Sequence, residues 1–81
     1  MPQFHIFHAT GPRKFTETAV QPREYAGFVE ASDLEDAYAR SQNDENPWNP
    51  YNPCRSTSVG DVIQSDVGFF MILNMGFQHL D

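Results

Sequence analysis

The residues best suited to chemistry lie in the run CRSTSVGD, which combines one thiol, one guanidinium, three hydroxyls and a carboxylate. Arg55, Ser56 and Ser58 could together bind an anion, because a guanidinium, hydroxyl groups and backbone amides all suit phosphate oxygens. No GxxxxGK[ST] or GxGxxG pattern accompanies them. We therefore keep a nucleotide- or anion-binding domain as an alternative. The run favours a structural turn, in which Gly60 supplies a positive φ and Asp61 accepts from nearby amides.

Catalytic and metal-binding chemistry have less support in the sequence. A nucleophilic Cys54 would need a base and a group that orients the base, and His79 is the candidate base. His5 and His8 are separated by an odd number of residues, so a regular strand puts them on opposite faces. A metal site needs three or four convergent ligands, and the histidines show no such spacing. The sequence predicts a protein that is not an enzyme and that uses no metal or cofactor.

Acidic residues are concentrated at the start of a predicted helix. The tetrapeptide SDLE has the spacing of a capping box, in which Ser32 accepts from a helix amide and Glu35 reaches back to the Ser32 amide. Asp33, Glu35 and Asp36 lie in the first turn, where the helix dipole favours anions. We predict a helix over about 33–42. Its carboxylates are interpreted as solvated groups that compensate the dipole, rather than as an active-site pair.

The same helix carries a narrow stripe that should face a sheet. The residues that follow the i, i+3, i+4, i+7 spacing are Leu34, Ala37, Tyr38 and Ser41. We also expect Arg55 to pair with an acid of the helix, Asp36 or Asp44.

An Asn/Pro-rich loop, residues 43–57, contains three Asn-Pro-X triplets. Each Pro restricts the Asn before it to extended conformations, which favours either a polyproline-like segment or a chain of Asn-initiated turns. Trp48, Tyr51 and Cys54 share one triplet position and would form a single ridge on a three-residue helix. The two large aromatics either fold back over the sheet or stand out as binding anchors. The predicted partner-binding residues are Trp48, Tyr51, Asp33, Glu35 and Asp36.

Strand signals flank the helix and the loop. The predicted strands are 3–10, with Phe4, Ile6 and His8 on one face and His5 and Phe7 on the other, then 25–31, 62–65, 69–73 and 77–80, with a short strand considered at 15–20. Residues 69–73 are apolar on both faces, with Phe69, Met71 and Leu73 on one and Phe70 and Ile72 on the other, so we place this strand centrally. One face of the sheet should meet the helix, and the other should be covered by the proline loop or by another subunit.

Composition limits the class of protein. The chain has 81 residues, enough for one domain spanning 1–81, with 40% hydrophobic residues and a net charge of -6. Because no cluster of Lys and Arg is present, direct nucleic-acid binding is disfavoured. No signal peptide or membrane span is recognised, and the single Cys fits a reducing compartment. We predict a cytoplasmic protein with no membrane contact, whose acidic helix meets a basic protein surface.

The run RSTSVGDVI, followed by G-F-x-x-L, resembles small YodL-like domains and related short proteins of bacteriophages and mobile elements. The matching residues are Arg55, Ser56, Ser58, Val59, Gly60, Asp61, Val62, Ile63, Gly76, Phe77 and Leu80. The likeness covers about residues 28–81, and the Asn-Pro repeats are not part of the pattern. The resemblance implies no enzymatic activity. The occurrence of that family beside antirestriction proteins implies, by association, a role against host defences.

These observations predict an α+β fold with one α-helix packed on a small, mainly antiparallel sheet of four to five strands. The sheet should end in a C-terminal β-meander over 58–81. The favoured function is that of a small non-enzymatic phage or mobile-element protein that binds a host or viral protein, which would suit counter-defence or host takeover. The alternatives are the anion-binding domain and a structural or assembly protein that self-associates, as a homodimer for example, through the second sheet face.

Overall fold

Five strands and one short helix make up the part of the chain that the structure describes, residues 2–9, 23–44 and 46–80 of a computed structural model. The elements are β1 Gln3–Ala9, β2 Arg23–Glu30, α1 Leu34–Arg40, β3 Val62–Ser65, β4 Gly68–Ile72 and β5 Phe77–Leu80. The strands form one antiparallel sheet in the order β2-β1-β3-β4-β5. A small α+β fold is thus confirmed. The strand considered at 15–20 lies outside the described residues.

The alternation of β1 decides which side of the sheet becomes the core. Phe4, Ile6 and His8 are buried on the helix side, and His5 and Phe7 lie on the opposite side, as predicted. The pairing of β1 with β2 shifts by one residue, because Ile6 pairs with Gly27 whereas Phe7 pairs with Tyr25. The residue left over, Ala26, makes a β-bulge, which fits the glycine beside it.

The centre of the sheet differs from the prediction. β4 lies between β3 and β5, and the middle strand is β3. The reason is that the N-terminal strand β1 pairs with β3, which adds two strands on that side. Val62 and Ile63 of β3 point to opposite faces and are both buried. In β4 the predicted alternation holds, with Phe70 and Ile72 toward the helix side and Phe69 and Met71 away from it.

The helix is shorter than predicted and its cap lies one residue later. Asp33, not Ser32, is the N-cap, and its carboxylate accepts from the amide of Asp36 at 2.8 Å. Asp36, not Glu35, reaches back and accepts from the amide of Ser32 at 3.0 Å. Ala31 still donates to Pro2 beside the sheet, so the chain remains extended until Ser32. The seven-residue α1 is too short to cross a membrane, and the described residues contain no other helix.

The predicted helix stripe packs on the sheet as expected. Ala37 and Ser41 are fully buried, and Leu34 and Tyr38 pack against the core from the side. The buried core consists of Phe4, Ile6, Ala26, Val29, Ala31, Ala37, Ile63 and Ile72. Trp48 joins this core, so the proline loop packs on the helix side and does not cover the other sheet face. Of the two covers expected for that second face, the proline loop or another subunit, the loop is therefore excluded.

Candidate functional site

One buried carboxylate organises the RSTSVGD run. Asp61 is fully buried. The Arg55 guanidinium donates two hydrogen bonds to its carboxylate, from Nη1 to Oδ2 at 2.7 Å and from Nη2 to Oδ1 at 2.8 Å. The backbone amides of Ser58 and Ala9 also donate to Asp61, each at 2.8 Å. The Asp61 carboxylate therefore joins its own turn to the end of β1. The predicted structural role of Asp61, as an acceptor from nearby amides, is confirmed.

The predicted pairing of Arg55 with a helix acid is wrong. Arg55 pairs with Asp61, whereas Asp36 pairs with Arg40 on the same helix at 3.0 Å. Asp61 offers the stronger partner because its buried carboxylate needs a compensating charge. Burial raises the pKa of Asp61, but the hydrogen bonds from Arg55 and the two amides outweigh burial and hold that pKa below its ordinary value. The hydrogen bond to Asp61 in turn raises the pKa of Arg55.

A buried histidine and threonine lie against this ion pair. His8 Nε2 is 2.9 Å from the Thr57 hydroxyl and 4.0 Å from Asp61 Oδ2. A catalytic histidine uses one ring nitrogen for the nucleophile and the other for the acid that orients it. Here the same nitrogen faces both groups, and Thr57 is only 1% exposed. The geometry is that of a satisfied interior polar cluster, without a hydroxyl that a substrate could reach.

Asparagine side chains hold the proline loop in shape. Asn43 Oδ1 accepts from the Trp48 amide at 3.0 Å, and Asn43 Nδ2 donates to the Cys54 carbonyl at 2.6 Å. Asn49 Oδ1 accepts from the amides of Tyr51 and Asn52 at 3.1 and 3.2 Å. Of the two conformations that the triplets allow, the loop therefore adopts the chain of Asn-initiated turns.

Asn49 also ties the loop to the edge of the sheet. Its Nδ2 donates to the carbonyl of Ala26 at 2.8 Å, within the bulge of β2. The neighbouring Gly27 has a φ of +142°, and a Cβ there would collide with the Asn49 side chain. The loop thus occupies part of the outer edge of β2, the first strand in the order of the described sheet, and strand edges are what natural sheets protect.

The aromatic residues of the loop have different environments. Trp48 folds back onto the core and its Nε1 donates to the Arg55 carbonyl at 3.1 Å. Tyr51 is 96% exposed at the apex of the turn that begins at Asn49. The single ridge of Trp48, Tyr51 and Cys54 belongs to the polyproline-like alternative, which the turn at Asn49 rules out. We call residues 49–52 the loop tip.

The remaining predicted residues fall into separate places. Cys54 packs against the core, and burial raises the pKa of its thiol, which disfavours the thiolate that a nucleophile requires. His79, its candidate base, stacks on Phe70 with ring centroids 4.7 Å apart. Asp33 and Asp36 are used in helix capping, whereas Glu35 is exposed. No group of three or more His, Cys, Asp or Glu in residues 2–9, 23–44 and 46–80 could hold a metal ion.

The side of the sheet away from the helix, where the sequence predicts a second apolar face, has an exposed aromatic surface. The members of this surface on β2 were not predicted. We call this surface the aromatic face; it consists of His5, Phe7, Tyr25, Phe28 and Phe69. Tyr25, Phe28 and Phe69 are 51%, 49% and 41% exposed. His5 Nδ1 lies 2.8 Å from the Tyr25 hydroxyl, and the Phe7 ring contacts those of Tyr25 and Phe69 at 5.3 and 6.0 Å. The period-two alternation of β1 is a sequence signal for this surface, whereas β2 breaks the alternation, because the bulge at Ala26 puts Tyr25 and Phe28 on the same face.

Comparison of the chain with family models, curated proteins and solved structures finds no match.

Proposed function

We propose that this chain is a non-enzymatic protein that binds a host or viral protein through the loop tip. The observation that carries the proposal is the position of Tyr51, whose ring is almost wholly exposed on a loop held by side-chain hydrogen bonds. Tyrosine contributes a large contact area at low cost in conformational entropy, which is why it is common among the residues that dominate protein interfaces.

Preorganisation of the loop supports this role. The side chain of Asn49 accepts from the Tyr51 amide and so fixes the backbone of the turn. Trp48, the residue before Asn49, packs on the core and anchors the start of the turn. A partner would therefore meet a formed surface, and little of its binding free energy would be lost in ordering the loop.

The distribution of charge indicates the kind of partner surface. Residues 24–45 contain seven acidic residues and one arginine, so this segment alone has a charge equal to the net charge of the whole chain, -6. Glu35 and Asp44 of this segment are exposed. Electrostatic complementarity favours a basic protein surface, and it would act mainly by raising the association rate.

The environment of the RSTSVGD run gives no support to the anion-binding alternative. An incoming phosphate would compete with the buried carboxylate of Asp61 for both ends of the Arg55 guanidinium. A cleft beside α1, lined in part by Tyr38 and Phe77, has a volume of about 170 Å³. That is smaller than the roughly 300–1,000 Å³ of most ligand pockets. A phage or mobile-element setting, with a role in counter-defence or host takeover, is supported by the resemblance of the run to YodL-like domains.

Affinity capture from a bacterial lysate tests the proposal. We expect immobilised wild-type protein to retain a specific partner that Tyr51→Ala loses. Met75→Ala is the matched control, because Met75 is 90% exposed and lies outside the loop. Identical captured proteins for wild type and Tyr51→Ala, quantified by mass spectrometry, would refute binding through the loop tip.

A further inference from the structure

The aromatic face contains two parallel rows of side chains that cross four strands. The first row is Phe28, His5, Gln64 and Phe69, and the second row is Tyr25, Phe7, Val62 and Met71. Each row runs in the order β2, β1, β3, β4, and neighbouring members are paired across adjacent strands. The two rows are therefore side by side, and each carries aromatic rings on β2 and β1.

Neither row contains an Asp, Glu, Lys or Arg. Charged residues stand at both ends of β2, Arg23 at its beginning and Glu30 at its end. The Arg23 guanidinium lies against the second row, where its Nη2 contacts Met71 Sδ at 3.8 Å. The acidic helix lies on the opposite side of the sheet. Two copies of this chain could thus bring these faces together without opposing their acidic helices.

We propose that the aromatic face binds the aromatic face of a second copy, so that the protein forms a twofold-symmetric dimer. The twofold axis lies parallel to the sheet, perpendicular to the strands and midway between the two rows. Rotation about this axis lays each strand antiparallel on the same strand of the second copy. It places Phe28 against Tyr25 of the second copy and His5 against Phe7 of the second copy. It also lays the end of β2 that carries Arg23 over the end of β2 that carries Glu30 in the second copy. An interface between identical surfaces requires such self-complementarity, which a partner of different sequence would not need.

The size of the face indicates a reversible dimer. Four strands about 4.8 Å apart and about 17 Å long give the two rows a footprint of roughly 330 Å² in each copy. This is within the range of the largest apolar patch on a typical monomer, about 300–600 Å², which often has a function. The two footprints together make roughly 650 Å², which is below the roughly 1,200–2,000 Å² that stable protein interfaces bury, so we expect a weak dimer that dissociates in the micromolar range or weaker.

Dimerisation through this face goes beyond the proposed function and does not depend on it. The Asn/Pro-rich loop packs on the helix side of the sheet, so both loop tips remain accessible in the dimer. Two linked loop tips would bind a partner with two sites more tightly than one loop tip does.

Sedimentation equilibrium of the full chain, up to about 1 mM, tests the dimer. We expect a reversible monomer–dimer equilibrium, which Phe28→Ser weakens about tenfold or more, as truncation of a central interface side chain does. Tyr51→Ser and Met75→Ser are matched controls that remove exposed side chains elsewhere and should leave the dissociation constant unchanged. Circular dichroism verifies that each variant is folded. A wild type that stays monomeric at about 1 mM, or an unchanged dissociation constant for Phe28→Ser, would overturn the proposal.

A mixing experiment tests the orientation of the two copies. Tyr25→Lys and Phe28→Glu should each dimerise poorly alone, because each buries charges in the interface that no opposite charge compensates. The mixture should recover a heterodimer, since the introduced ammonium of one variant then faces the introduced carboxylate of the other. No gain on mixing would overturn the proposed axis. A wild-type monomer that binds an unrelated protein through Phe28 would instead assign the aromatic face to that protein and overturn the dimer.

Discussion

At the scale of single residues, Asp61 determines the geometry of the connection between the loop and the sheet. Its carboxylate accepts from Arg55, Ser58 and Ala9, which belong to the loop, the turn and the end of β1. A buried carboxylate is stable only when charged or hydrogen-bonding partners replace its water. The pair of Arg55 and Asp61 therefore acts as a structural joint between segments that are distant in sequence.

Asp61→Asn is expected to lower the free energy of unfolding by about 2 kcal/mol near neutral pH, since it weakens a buried ion pair whose arginine is partly exposed. The folded pKa of Asp61 is lowered, so its stabilisation is present above the ordinary pKa near about 3.9 and is lost as pH falls through the folded pKa. Urea denaturation across this pH range should show the two proteins converging in acid. The exposed Asp66→Asn is the control, and equal pH dependence in wild type and Asp61→Asn would contradict the role of Asp61.

Part of this joint could be predicted from the residues alone. The turn residues Gly60 and Asp61 follow from local backbone chemistry. The partner of Arg55 could not be predicted, because the sequence does not reveal which carboxylate becomes buried. The helix is capped by Asp33 and not, as predicted, by Ser32, because the Ala31 amide is still hydrogen-bonded beside the sheet. The helix therefore begins one residue later, and this long-range contact also could not be predicted.

At the scale of elements, the Asn/Pro-rich loop is ordered without a helix or strand of its own. Proline limits its conformations, and the amide side chains of Asn43 and Asn49 satisfy its backbone. Trp48 adds an apolar anchor on the core. The loop therefore contains one aromatic residue, Trp48, that stabilises it by packing on the core, and another, Tyr51, whose side chain is almost wholly exposed.

Alanine substitutions should distinguish these two aromatic residues. Trp48→Ala removes a partly buried ring and a hydrogen bond to the Arg55 carbonyl, so it should cost about 2–3 kcal/mol of unfolding free energy. Tyr51→Ala should change stability by less than about 0.5 kcal/mol, as exposed substitutions usually do. Chemical denaturation of both variants provides the comparison. Similar losses for the two would contradict their assigned environments.

The strands were the elements most accessible to prediction. Alternation in β1 and β4 fixes which side chains share a face, and β3 and β5 have the predicted bounds. The order of strands was not accessible, because it depends on pairing between β1 and β3, which are far apart in sequence. Tyr25 and Phe28 were not assigned to the second sheet face, because a regular strand would put two residues at this odd spacing on opposite sides. The bulge at Ala26 brings both onto the aromatic face.

At the scale of the whole molecule, the sheet separates two exposed surfaces. The helix and the Asn/Pro-rich loop lie on one side, with Trp48 in the core, and the aromatic face lies on the other. This arrangement is compatible with both proposals, which are dimerisation through the aromatic face and binding of a partner through Tyr51. The joint at Asp61 ties the loop to the sheet that separates these surfaces.

The most direct test of the central claim is the dissociation constant of the captured partner, measured by calorimetry against wild type and Tyr51 variants. We expect Tyr51→Ala to raise the dissociation constant about tenfold or more, as loss of an interface anchor does. Tyr51→Phe, which keeps the ring, should have a smaller effect, and Met75→Ala should have none. A Tyr51→Ala protein that binds as tightly as wild type would contradict the account.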